Sequence, residues 1–170
     1  EARVGSLSRW TDSTQQAAKR MQQLIGEMLT LADVERPEAP LELTQVDIAS
    51  VVMKAALELE SVAYEKGVAL DTELPDSLLG RSSENYLQRI AASLMENAIK
   101  YEPRGGRVLV TLTRSRRHAV LEVRNRSTCI SQEDLPHVFD RFYRSDKSRQ
   151  SKTGGHGLGL AITKEMVTKL

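Results

Sequence analysis

The sequence predicts an α+β fold: a two-layer sandwich with helices on one face of a mixed sheet, preceded by one long helix. Three observations carry this. A helical stripe of apolar residues runs within residues 10–35 and stops at Pro37 and Pro40. Short alternating runs then interleave with helical runs from Leu41 onward. Two glycine turns, Gly67 and Pro103-Arg104-Gly105-Gly106, fall where a helix hands over to a strand.

In order, residues 10–35 read as one helix. Met21, Leu24, Ile25, Met28, Leu31 and Ala32 recur at helical spacing, while Gln15, Gln16, Lys19, Arg20, Gln22, Gln23 and Glu27 take the other faces. A lone helix cannot bury that stripe, so it needs a partner from elsewhere in the parent chain or from a second subunit. Residues 41–46 alternate like a strand, and Asp47 is placed to cap a helix from Ile48 to Lys66 that Gly67 ends. A strand over 68–74, a short strand at Leu78-Leu79 and a helix over 83–101 follow, the last with Leu87, Ile90, Ala91, Leu94 and Ala98 inward. Residues 107–113 and 118–124 form a hairpin across the basic turn 114–117. Ser131 with Asp134 makes a capping box. Residues 145–155 read as a mobile loop, and a last helix starts near Leu158.

The bulk numbers exclude several function classes. A net charge of +1 leaves no field for nucleic acid or an anionic membrane, and 4% aromatic residues argue against a base-stacking platform. One cysteine, Cys129, excludes an internal disulfide and suits a reducing compartment. No apolar run is long enough to span a bilayer. The chain opens on Glu1 rather than methionine, without an apolar leader, and is expected to be a piece of a longer protein.

Chemistry concentrates in two places. Gly155, Gly157 and Gly159 alternate with His156, Leu158 and Leu160. Glycine there opens backbone conformations closed to other residues and lets phosphate approach the N–H groups of the helix that follows. The spacing matches neither the dinucleotide fingerprint nor the P-loop. Asn97, Lys100 and Tyr101 stand at i, i+3 and i+4 on one helix face. An amide oxygen suits Mg²⁺, and an ammonium compensates phosphate charge. Taken singly, the first motif also fits a flexible cap and the second a solvated helix face. Their joint occurrence favours a nucleotide site.

Residues 97–101, residues 138–144 (Val-Phe-Asp-Arg-Phe-Tyr-Arg) and residues 155–160 resemble the N, F and G2 boxes of bacterial sensor histidine kinases. Residues 20–32 resemble the second helix of that family's dimerisation hairpin. The resemblance implies three segments: 1–36 as part of the hairpin, 37–43 as a linker, and 44–170 as an ATP-binding catalytic domain of the GHKL (Bergerat) type. It implies ATP and Mg²⁺, with Asn97 as the metal ligand. The nucleotide set would be Asn97, Lys100, Tyr101, Asn125, Ile130, Arg144, Gly155, His156, Gly157, Leu158, Gly159 and Leu160. Residues 144–156 would form a lid, with Arg144, Lys147, Arg149 and Lys152 as its charges. The implied reaction moves the ATP γ-phosphoryl to a histidine and then to a response regulator, largely by positioning and charge stabilisation. The implied partners are a second copy through the N-terminal helix and that response regulator. Membrane attachment would come only through other parts of a cytoplasmically oriented bacterial parent.

The chain departs from the family pattern at four points. Ser93 replaces the first asparagine of the N box. Asn125-Arg126-Ser127-Thr128-Cys129 replaces Asp-x-Gly-x-Gly. Asn125 can still pair with an adenine edge, but Ser127 and Cys129 would each cost about 1–2 kcal/mol if the loop needs φ > 0. None of His118, His137 and His156 stands in a phosphoacceptor context, so the acceptor is expected upstream of Glu1. A final strand pair is expected after Leu170, which would leave a sheet edge open within these residues. The altered loop motivates a rival reading: a degenerate regulatory module with weakened nucleotide binding.

Overall fold

The computed structural model describes residues 2–36, 41–126, 130–144 and 155–170, with side chains from Ser13 onward. Helix α1 (Ala2–Glu35) leads into strand β1 (Thr44–Asp47) and helix α2 (Ile48–Lys66). Strands β2 (Ala69–Glu73) and β3 (Leu79–Ser82) precede helix α3 (Glu84–Tyr101). The hairpin β4 (Arg107–Ser115) and β5 (His118–Arg124) follows, then a 3-10 turn (Leu135–His137) and helix α4 (Gly159–Lys169).

Local chemistry sets these boundaries. Asp47 starts α2: its carboxylate accepts from Ala49 N at 3.1 Å and, across the chain, from Leu78 N at 2.9 Å. Gly67 ends the helix at φ +71°, and Gly67 N and Val68 N return to the Tyr64 and Ala63 carbonyls. Ser83 occupies the N-cap position of α3 without making a side-chain cap bond. The capping box at the 3-10 turn forms as expected, with Ser131 Oγ 2.7 Å from an Asp134 oxygen and 3.0 Å from Asp134 N.

The mixed sheet is β2-β4-β5, with β2 parallel to β4 (Ala69↔Arg107) and β4 antiparallel to β5 (Thr113↔Val120). Strands β1 and β3 form a separate antiparallel pair (Thr44↔Ser82), where the sequence suggested one sheet. Asp47 joins this pair to α2 by binding both ends of the crossing. Among the described residues β5 pairs only through β4, so its other edge is open.

Helices α2 and α3 cover one face of the sheet. Val108, Val110 and Leu112 point from β4 into a core with Val52, Ala55, Ala56, Leu59, Ala91, Met95 and Ile99. Alanines on the facing sides of α2 and α3 let the helices pack closely. The opposite face of α3 is buried as well: Ile90 joins Leu158, Ile162 and Met166 of the α4 region and Leu31 and Val34 of α1. Helix α3 therefore lies between two apolar clusters. Each buried large side chain contributes about 1.5–3 kcal/mol.

The long helix starts at Ala2, eight residues before its expected start. The N-terminal part of the expected strand over 41–46 is irregular, and pairing begins at Thr44. The linker's residues 37–40 lie outside the described residues.

Asp47 supplies a pH test of this frame. The Leu78 amide above all, with smaller help from Ser77, Ala49 and Ser50, holds its carboxyl below the ordinary value of 3.8. A depressed carboxyl contributes stability above the unfolded value, and that contribution disappears as pH falls through the folded one. Asp47→Ala should lower Tm at neutral pH, and the gap from wild type should close as pH drops below 4, measured by thermal melts across that range.

Candidate functional site

Ser93, Asn97 and Lys100 fall at i, i+4 and i+7 along α3 and share one face. The glycine run lies against that face. A Cβ on Gly155 would sit 2.5 Å from Lys100 Nζ, and one on Gly159 would sit 3.4 Å from Ser93 Oγ. Ser93 Oγ also lies 3.0 Å from the Thr163 hydroxyl of α4, which donates to Gly159 O at 2.9 Å. The run is thus held to α3 at both ends, and half-buried Asn97 lies between the two anchors. Lys100 Nζ also stands 5.2 Å from the Tyr101 ring centroid, and the Tyr101 side chain reaches solvent.

Within the run only Gly157 has positive φ, +74°. Its backbone presses on the 138–144 segment: a Cβ would lie 2.6 Å from Tyr143 O and 2.8 Å from Phe142 C. Phe142 N donates to Gly157 O at 3.0 Å, and Phe142 itself has φ +62°. A bulky residue in that region is strained by its surroundings. Tyr143 hydroxyl binds Asp134, and His137 Nδ1 lies 2.7 Å from Asp140. The 3-10 turn, the aromatic segment and the glycine turn thus form one connected unit. Leu158 is fully buried and anchors the turn in the second core, whereas Leu160 is only half-buried.

Helix α1 packs on the same side. Leu24, Leu31 and Val34 join the second cluster, Arg141 pairs with Glu35, and Arg89 donates to Thr30 Oγ1 at 3.2 Å. Lys169 Nζ donates to Arg36 O at 2.8 Å. Exposed pairs of this kind contribute up to about 1 kcal/mol each, so the apolar contacts dominate the docking. Glu27 reaches into the glycine turn, with Oε2 3.3 Å from His156 Nδ1. Both atoms are buried, and among the described residues neither completes a hydrogen bond. His156 therefore faces a carboxylate of α1, a contact that sequence spacing does not reveal.

The remaining expected residues are distributed around this centre. Asn125 follows the end of β5 and is half-buried, while Ile130 is exposed beside the 3-10 turn. Arg144 is half-buried at the end of the aromatic segment. Ser127, Cys129, Lys147, Arg149 and Lys152 lie outside the described residues. His118 and His137 are exposed, as expected for surface histidines. Ser93, read from sequence as a lost polar group, is a working contact to Thr163. Glu102, which carried no sequence signal, is among the few buried charged residues, at 2% exposure.

As for a metal, no group of three or more His, Cys, Asp or Glu side chains is placed to hold one among the described residues. An amide such as Asn97 fits an ion that arrives already coordinated by phosphate oxygens, as Mg²⁺ does with nucleotides.

A glycine turn thus lies against an asparagine- and lysine-bearing helix on an α/β sandwich, the arrangement of an ATPase-type domain. The family described as histidine kinase-, DNA gyrase B-, and HSP90-like ATPase matches residues 82–170, and the chain belongs to it. The sensor-like histidine kinase SenX3 of Mycobacterium tuberculosis is 34% identical over 163 residues, covering 95% of this chain and 39% of that protein. CusS, a sensor histidine kinase of Escherichia coli O157:H7, is 34% identical over 148 residues, covering 87% of this chain and 30% of that protein. The chain thus spans well under half the length of these relatives. Among solved structures, the mycobacterial sensor histidine kinase MprB aligns with a TM-score of 0.63 at 29% identity, over 75% of this chain and 79% of that one. The histidine kinase AdeS of Acinetobacter baumannii aligns at 0.74 and 21% identity, over 94% of this chain and 72% of that one, a likeness of fold.

Glu96 tests the docking of α1. Loss of hydration, and secondly the charge of Glu27, raise its carboxyl above the ordinary 4.5. A raised carboxyl opposes the docked state once ionised, and the penalty vanishes as pH falls below the unfolded value. Glu96→Gln should therefore melt higher than wild type at neutral pH, with the difference shrinking below pH 4.5 in scanning calorimetry.

Proposed function

We propose that residues 44–170 form the ATP-binding catalytic domain of a sensor histidine kinase, and that residues 1–36 are the second helix of its dimerisation hairpin. The supporting observation is that the α3 face carrying Asn97 and the glycine run meet, through Lys100 at Gly155 and Ser93 at Gly159. At Gly157 a Cβ would fall on the Tyr143 carbonyl, so the turn keeps its close approach only without a side chain there. In this reading the run's N–H groups and the first turn of α4 face the phosphates, and Lys100 balances their charge. Asn97 holds Mg²⁺, which supplies charge neutralisation to the leaving β-phosphate. Tyr101 and Asn125 belong to the base side, with the asparagine amide pairing to the adenine edge. Ile130 adds apolar cover there, and Arg144 opens the lid. Leu158 and Leu160 set the turn, and His156 is released from Glu27 to meet phosphate.

The γ-phosphoryl passes to a histidine on a helix outside this chain, and from there to an aspartate of a response regulator. Helix α1 leaves Met21, Ile25, Met28 and Leu29 between 50% and 64% exposed, which supports a second copy as its partner. Among the described residues no helix is long and apolar enough to cross a membrane.

Titration calorimetry with a non-hydrolysable ATP analogue and Mg²⁺ should give a binding isotherm. Asn97→Ala should remove its Mg²⁺ dependence. Gly157→Val should abolish binding, because strain of about 1–2 kcal/mol adds to the clash with Tyr143. No heat from wild type at millimolar ligand would overturn the reading.

A further inference from the structure

Helix α3 ends on a buried carboxylate. Glu102 is 2% exposed, and its two oxygens accept two backbone amides from different segments: Arg107 N at the start of β4, at 3.1 Å, and Arg126 N just after β5. An ion in that position is stable only when its lone pairs are matched, and an amide left unpaired there would carry a full desolvation cost. Lys66 completes the arrangement, donating from α2 to the Ile99 and Lys100 carbonyls that end α3. Gly106 leaves the space: a Cβ there would fall on the Glu102 carboxylate, although its φ is not one that requires glycine.

We infer that Glu102 is the positioning residue for the base end of the nucleotide site. Asn125 is bracketed by the β4-β5 ladder, which ends at Leu109↔Arg124, and by the Glu102 bond to Arg126 N. One side chain therefore fixes the distance between Asn125 and the C-terminal end of α3, where Tyr101 of the base side stands. The phosphate end is held separately, by Ser93, Thr163 and the glycine run. Loss of Glu102 thus loosens the base contact and leaves the phosphate contact in place. This inference rests on the nucleotide reading above.

The test uses the 170-residue chain and two probes with Mg²⁺: a non-hydrolysable ATP analogue and inorganic tripolyphosphate, which lacks a base. Glu102→Gln keeps the volume but can accept only one of the two amides. It should weaken the analogue about tenfold and tripolyphosphate less than twofold. The amide resonance of Arg107 or Arg126, whichever then faces the side-chain NH₂, should shift upfield as its acceptor is lost. Gly106→Ala, which displaces the carboxylate without removing it, should produce the same split. Equal weakening of both probes, with a lowered Tm, would assign Glu102 a structural role only and overturn the inference. Unchanged analogue binding in both variants would do the same. A wild-type chain that binds neither probe would instead remove the nucleotide reading, and this inference with it.

Discussion

The structure depends on helix α3 being buried along two faces while a third stays polar. One apolar face, with Ala91, Met95, Ala98 and Ile99, closes the sheet core. Another, with Ile90, holds Leu158 and α4. The polar strip between them bears Ser93, Asn97 and Lys100. Packing on both sides forbids rotation of the helix, since turning it by one residue would bury Asn97 or Lys100 without partners at several kcal/mol. The glycine run then has one place to lie, and its small residues follow from that. Tyr143 O approaches Gly157, at positive φ, too closely for any side chain, while Lys100 Nζ lies against Gly155. The chemistry of the site is therefore a consequence of how its scaffold packs.

Much of this was legible in the sequence, for identifiable reasons. Asp47 and Gly67 bound α2 because capping chemistry is local and residue-specific. The alternation in β4 marked Val108, Val110 and Leu112 as the core face. Asn97 and the glycine run could be paired because both motifs carry their geometry in their spacing. The start of α1 was less legible: Gly5, Ser6 and Ser8 are weak helix formers, so propensity alone placed the start too late. The division into two sheets was hidden because alternation reports strands and says nothing of their partners.

The contacts that sequence reading missed are long-range and polar. Ser93 bonds Thr163 seventy residues away, Glu27 meets His156 across the whole domain, and Glu102 joins the starts of two separate segments. Ser93 shows how a substitution that reads as a loss can be a replacement. A hydroxyl leaves room for Gly159 and hydrogen-bonds Thr163.

Helix α1 carries two apolar stripes, one packed and one exposed. Leu24, Leu31 and Val34, with Glu27, lie on the side that packs against α3 and α4. Met21, Ile25, Met28 and Leu29 are centred roughly 120° further round the helix. A partner on the second stripe need not displace the domain from the first, so docking and pairing are compatible in geometry.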